Sequence, residues 1–253
     1  MTTYFTKHYA TDEQAGQAAR HYGWLATHAQ PFRQPTLTVS GPAALSFTWV
    51  QGRHAEQRDL PELAALLGDA HGAAWASDLH GAELTRAHQF SDGTEFSSYL
   101  GLREEALRRR RQQGFLPTDR ALDMMLAILN RTAEGPTAFY KDSNLRNFLF
   151  TDDGTVFVVD TDHLSLAPFA YDLAKLVTSL IMTHGPLPDH SLDGALGAYN
   201  EAAARHDARL GATDRDRLDD FLALHAVLTA PYSGRHGYRH ADPIASHGPE
   251  RSS

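Results

Sequence analysis

The chain of 253 residues contains no cysteine, which excludes disulfides and thiolate metal sites and fits a cytoplasmic setting. Lysine is scarce. Of 23 basic side chains only Lys7, Lys141 and Lys175 are lysines, so each marks a place where an ammonium group has been kept. No apolar run approaches the roughly 18 residues of a membrane-crossing helix. The nearest, FLALHAVLTA, is short and holds His225. The N-terminal stretch MTTYFTKHYATDEQ has no apolar core of the kind an export signal needs. Excess positive charge is missing too: a net charge of −8 argues against general nucleic-acid binding and favours cationic partners. The 15 histidines lack a metal-binding pattern. HGYRH (236–240) has ligand-like spacing, but it lies in a Gly-rich tail.

What is present reads as an ordinary globular protein, with 42% apolar and 21% charged residues. YFTKHY (4–9), TLTVS (36–40) and LSFTWV (45–50) read as strands, the last two joined by the turn GPAA. TDEQ (11–14) reads as a capping box opening a helix that runs to about residue 29. After QGR (51–53), almost everything to residue 138 reads as helix, including LPELAALLGDAHGAAW, FSSYLGLREEALRRRRQQG and TDRALDMMLAILNRTAE. In the second of these, Glu104–Arg108 and Glu105–Arg109 stand at i,i+4 spacing, so the arginine run is read as a solvated helix face. Strands at 147–151 and 156–160, joined by DDG, form a hairpin. Helices at about 170–184, 189–206 and 213–230 close the fold, and the tail from Tyr232 is expected to be poorly ordered at its end. Residues 1–50 are expected to form a small β-rich unit and residues 51–253 a large helical one, hinged near 50–54.

The stretch FYKDSNLRNFLFTDDGTVFVVDTD (139–162) carries the chemistry. Moving a phosphoryl group from a nucleotide to a hydroxyl needs a carboxylate beside the hydroxyl and a hard cation on the phosphates, held by oxygen ligands. Asp142 suits the first task. Asn147, five residues later, and Asp160, at the end of the second strand, suit the second, and the hairpin would bring the two together. Each residue also has a plain reading: a capped turn for Asp142 and Asn147, and a strand cap for Asp160.

YKDSNLRNFLF, VFVVDTD and FAYDLAKL together resemble the aminoglycoside phosphotransferase family, within the protein-kinase-like fold. The family's catalytic loop reads H-G-D-x-x-x-x-N, followed by I-D-[WF]-[DE] and Y-D-L-A. FTWVQGR (47–53) resembles its linking segment T-x-W-L-x-G-R, and LLGDAHGA its L-x-x-x-H helix. The likeness spans roughly residues 4 to 230. It implies a two-lobed α+β fold and Mg²⁺-dependent transfer from ATP or GTP to a small, cationic, amino-bearing acceptor. It also implies that Asp142 serves as base, Asn147 and Asp160 hold the metal, Lys7 contacts the phosphates, Trp49, Val50 and Gln51 receive adenine, and Asp172 braces the loop.

The departures leave alternatives open. Tyr140 and Lys141 replace the family's His and Gly, and Lys141 either reaches the transferred phosphate or faces solvent. Only six residues precede Lys7, so the small lobe is expected to lack its first two strands and the loop covering the nucleotide. Lys7 is then either the phosphate-binding lysine, partnered by Glu13 or Gln17, or a protective edge-strand lysine. Asp162 is either a structural acceptor or a neighbour of the metal. A binding module without phosphotransfer is the alternative function. A protein kinase is the less favoured rival, because only eleven residues separate Asp160 from Asp172, too few for an activation segment.

Overall fold

Helix α1 (Asp12–His28) starts where its cap dictates. Thr11 accepts from the Gln14 backbone N–H at 3.2 Å, while the Gln14 side chain reaches back to Ala10 N–H at 3.1 Å. The computed structural model describes residues 3–235 and 237–240, so His236 of HGYRH and the tail from residue 241 lie outside the described residues. Strand β1 (Tyr4–His8) precedes α1, and β2 (Leu37–Gly41) and β3 (Ala44–Thr48) follow it. Their antiparallel sheet has the order β1-β3-β2. Because side chains alternate across a sheet, Phe5 and Lys7 share one face with their β3 partners Phe47 and Leu45.

Beyond the linking segment come β4 (Arg53–His54), α2 (Leu60–Ser77), β5 (His88–Gln89), β6 (Glu95–Phe96), α3 (Tyr99–Gln112) and α4 (Asp119–Arg131). Next are β7 (Thr137–Tyr140), β8 (Phe148–Phe150), β9 (Val156–Val158) and β10 (Ser165–Pro168), then α5 (Tyr171–His184), α6 (Asp189–Ala204) and α7 (Arg215–Thr229). The architecture is a small strand-rich lobe against a large, mainly helical one. The β8–β9 hairpin forms as the sequence predicts, with Phe148 opposite Val158 and Gly154 at φ +82° in its turn. Three short strand pairs depart from the expectation of helix in almost everything to residue 138 and of a lone hairpin: β4 on β8, β5 on β6, and β7 on β10. These strands are two to four residues long, too short to show a period; β4 and β8, and β7 and β10, also take their order from partners distant in sequence, while β5 and β6 form a local hairpin.

Two glycines fix the helical core. A Cβ on Gly68 would meet the Tyr199 carbonyl, and one on Gly72 would meet the His206 ring. At Gly68 helices α2 and α6 therefore meet backbone to backbone, and that approach brings His71 and Tyr199 together under the site. Helix α1 is anchored by Trp24, which packs against Phe90, Phe96 and Phe139 and donates to Asp78 at 3.0 Å. On α3, Glu104 and Arg108 pair at 2.6 Å. Arg110 turns to the Leu228 carbonyl and Arg111 to Asp119, while Glu105 and Arg109 form no ion pair among the described residues.

Candidate active site

One face of α5 shapes the loop after β7. Asp172, Lys175 and Ser179 recur at helical spacing and all point at residues 141–145. The buried Asp172 carboxylate accepts from the backbone N–H groups of Lys141 (3.0 Å) and Ser143 (2.9 Å). Ser179 Oγ accepts from Leu145 N–H at 3.1 Å. Between these anchors Asp142 is forced into the left-handed region at φ +62°, a conformation an aspartate tolerates better than most residues. Asn144 then caps the short turn 145–147 through Arg146 N–H. The Asn147 side chain donates to the Asp142 carbonyl at 2.8 Å, which leaves Asn147 Oδ1 without a protein partner among the described residues.

The second acid is tied to the first through backbone. Val159 N–H donates to the Asn147 carbonyl at 3.0 Å, and Asp160 follows, also left-handed at φ +57°. Lys7 Nζ lies 2.5 Å from Asp160 Oδ1 and 2.6 Å from Asp162 Oδ2. Burial opposes the charge on Lys7, but contact with the two carboxylates outweighs it and raises its pKa. Asp162 also accepts from the Tyr9 hydroxyl at 3.1 Å. Neither Glu13 nor Gln17 partners Lys7, because both sit on the exposed face of α1, whose buried positions are Ala15, Ala18, His21, Trp24 and Leu25. The α1 residue that reaches this segment is His21, whose Nδ1 lies 2.6 Å from the Asp162 carbonyl.

A cavity of about 510 Å³ opens between sheet and hairpin, lined by Lys7, Trp49, Val50, Gln51, Asp160 and Asp162, with Phe5, Tyr22 and Phe47 as aromatic walls. The Trp49 N–H is taken by the Thr3 carbonyl at 2.9 Å. The Val50 and Gln51 amides have no protein partner among the described residues. Asp142 and Asn147 are not lining residues of this cavity, so of the seven residues predicted from sequence the cavity gathers five, and the loop carries the other two.

Lys141 does not face solvent. It is 1% exposed, with its ammonium 4.5 Å from the centre of the Phe148 ring and no hydrogen-bond partner among the described residues. Burial pushes its pKa down, opposed by Asp172, Asp142 and Asp160. Sequence reasoning missed three groups. Lys175 Nζ lies 3.3 Å from Asp142 Oδ1. Tyr238 brings the start of the tail onto the loop, its hydroxyl accepting from Asn144 Nδ2 at 2.8 Å. Arg103 is buried against the rings of Tyr99, Tyr140 and Tyr171, steadying Tyr140, whose hydroxyl donates to Asp142 Oδ1 at 3.1 Å. Lys175 had a signal, as one of three lysines and three residues after Asp172.

Two buried histidines give the loop's support an acid limit. His71 Nδ1 lies 2.7 Å from the Tyr199 hydroxyl, and burial, then the Lys141 charge, pulls its pKa down to about 3. Burial also holds His225 well below its ordinary value of 6.5. Both folded-state values lie below the unfolded one, so below that pH the unfolded chain binds more protons. Their contribution is complete above about pH 6.5 and is lost as pH drops, for His71 by about 1.4 kcal/mol per pH unit. Stability from urea unfolding should fall by about 1.4 kcal/mol between about pH 7.5 and about pH 5.5 through His71, and further through His225. A midpoint unchanged over that interval contradicts it.

A model of the phosphotransferase enzyme family (APH) matches residues 2–210. No curated protein sequence matches the chain. Among solved structures, macrolide 2'-phosphotransferase MphH from Brachybacterium faecium aligns with TM-score 0.57 at 16% identity, over 100% of this chain and 86% of that one. Aminoglycoside-3'-phosphotransferase of type VIII aligns with TM-score 0.54 at 19% identity, over 89% and 84%. Amicoumacin kinase hAmiN, solved with AMP-PNP, Ca²⁺ and Ami, aligns with TM-score 0.57 at 14% identity, over 97% and 78%. At these identities they establish the shared kinase-like fold. Among the described residues no helix is long and apolar enough to cross a membrane, and no three His, Asp or Glu side chains form a metal cluster.

Proposed function

We propose a specific reaction for this chain, which belongs to the phosphotransferase enzyme family: Mg²⁺-dependent transfer of the γ-phosphoryl group of ATP or GTP to a hydroxyl of a small, amino-bearing molecule. The family and its neighbours make the chain a small-molecule kinase acting on hydroxyl groups. The finer reading rests on one observation: a single cavity ends in two carboxylates that already share a cation, and backbone hydrogen bonds join it to a loop carrying a half-exposed aspartate.

The nucleotide base lies against the aromatic walls, facing the free Val50 and Gln51 amides, and Lys7 turns its ammonium to the phosphates. Asn147 Oδ1 and the Asp160 carboxylate are the oxygen donors that fit Mg²⁺, which needs only one or two protein ligands beside phosphate and water. When bound, Mg²⁺ supplies charge neutralisation across the phosphate oxygens. Asp142 orients the acceptor hydroxyl and takes its proton. An acidic chain and an acidic loop favour an acceptor bearing an amine, which suits aminoglycosides and macrolides and also amino sugars and amino alcohols.

Asp160→Asn removes a hard anionic ligand and should weaken ATP binding in the presence of Mg²⁺ by about tenfold or more. Raising Mg²⁺ should restore part of the loss. Calorimetric titration of ATP at graded Mg²⁺ measures both, and a Mg²⁺ dependence equal to wild type removes Asp160 from the metal site.

A further inference from the structure

Lys175 is the charged group nearest the proposed base that the reaction outlined above does not use. It sits inside the molecule, its side chain 9% exposed, on a helix otherwise packed into the core. Burying an ammonium is costly unless an anion meets it. The only carboxylate within ion-pair distance among the described residues is Asp142, at 3.3 Å. That partner is itself 53% exposed and strained at φ +62°, a poor arrangement if stability were the purpose.

The contacts on Asp142 are one-sided. Oδ1 accepts from the Tyr140 hydroxyl (3.1 Å) and meets Lys175 Nζ (3.3 Å), while Oδ2 has no partner among the described residues. Lys175 is held in turn. The Tyr238 ring stands 6.0 Å from its ammonium, and the Tyr238 hydroxyl accepts from Asn144 and donates to Ser179 Oγ at 3.3 Å, one turn along α5. Tyr171 and His225 both feel the Lys175 charge, and burial, then that charge, holds the His225 pKa well below its ordinary value. Two donors on one oxygen and none on the other fix the carboxylate's rotation.

We infer that Lys175 is a positioning residue for phosphoryl transfer: its ammonium clamps Asp142 Oδ1 so that Oδ2 is the atom presented to the acceptor hydroxyl. This rests on the reading of Asp142 as the acceptor-side base. In the step, the acceptor oxygen bonds to the γ-phosphorus while the bond from phosphorus to the β-bridging oxygen breaks. The hydroxyl proton passes to Oδ2, the nucleoside diphosphate leaves with the electron pair, and Lys175 keeps its three protons throughout.

The test is a double-mutant cycle. Transfer from labelled ATP to kanamycin, erythromycin, glucosamine, ethanolamine and water is measured for wild type, Lys175→Met, Asp142→Asn and the double variant, with thermal unfolding of each. Lys175→Met should lower kcat by about 10–100-fold with KM for ATP within about twofold, the mark of an interaction that counts in the transition state. Lys175→Arg should recover part of the loss, and Lys175→Gln, which keeps a donor and no charge, serves should Met loosen the fold. In the Asp142→Asn background Lys175→Met should change kcat by less than about twofold. An equal loss in both backgrounds, or a raised KM with kcat intact, overturns the clamp alone. Near-normal transfer by Asp142→Asn, or no transfer by wild type to any of these acceptors, overturns the underlying reading and the clamp with it.

Discussion

Asp142→Asn is expected to cut turnover by about 10²–10⁴-fold, the range for loss of a general base, while the chain folds and binds nucleotide as before. The substitution is isosteric, and the amide oxygen can still accept from Tyr140 and Lys175, which now meet Oδ1. The loop's shape rests on backbone groups that the change does not touch: the Asp142 carbonyl accepts from Asn144 N–H (2.6 Å) and Asn147 Nδ2 (2.8 Å). What disappears is the acceptor for a proton. Steady-state transfer kinetics with a parallel nucleotide titration separate the two effects. Turnover within a few-fold of wild type contradicts the assignment.

Asp172→Ala is expected to have the largest effect on stability. The carboxylate is fully buried, accepts from two loop N–H groups, and is the countercharge that acts most strongly on the buried Lys141 ammonium. Burial pushes the Asp172 pKa up, and Lys141 together with the two N–H groups opposes that. Removing it strands both donors and the ammonium, a loss of about 3–5 kcal/mol. That is a large share of the roughly 5–15 kcal/mol by which a domain is stable. Asp172→Asn, which keeps one acceptor oxygen, should lose less. Urea unfolding of both variants measures this, and a loss under about 1 kcal/mol for Asp172→Ala contradicts the bracing role.

The parts of the fold legible in the sequence were those whose signal is local. Capping at Thr11, the apolar periodicity of the long helices and the DDG turn each announce an element within a few residues. The spacing of Asp142, Asn147 and Asp160 was legible as chemistry, because a loop and a hairpin translate sequence distance into spatial distance. The strands β7 and β10 were not, since four residues of each acquire meaning only when the chain returns. Neither was the partner of Lys7. The helix-borne candidates Glu13 and Gln17 are turned outward by α1, and the carboxylates that meet Lys7 lie more than 150 residues away. The left-handed backbone at Asp142 and Asp160 leaves no trace in residue type, as aspartate is common in ordinary turns.

The central claim, phosphoryl transfer to a small hydroxyl-bearing molecule, is tested most directly by incubating the purified chain with γ-labelled ATP or GTP, Mg²⁺ and a panel of aminoglycosides, macrolides, amino sugars, amino alcohols and nucleosides. Covalent label should appear on a hydroxyl of at least one amino-bearing acceptor, require Mg²⁺, and fall with Asp142→Asn. Nucleotide that binds in the cavity while no acceptor in the panel becomes labelled would contradict it, and would make the chain a binding module on a kinase-like scaffold.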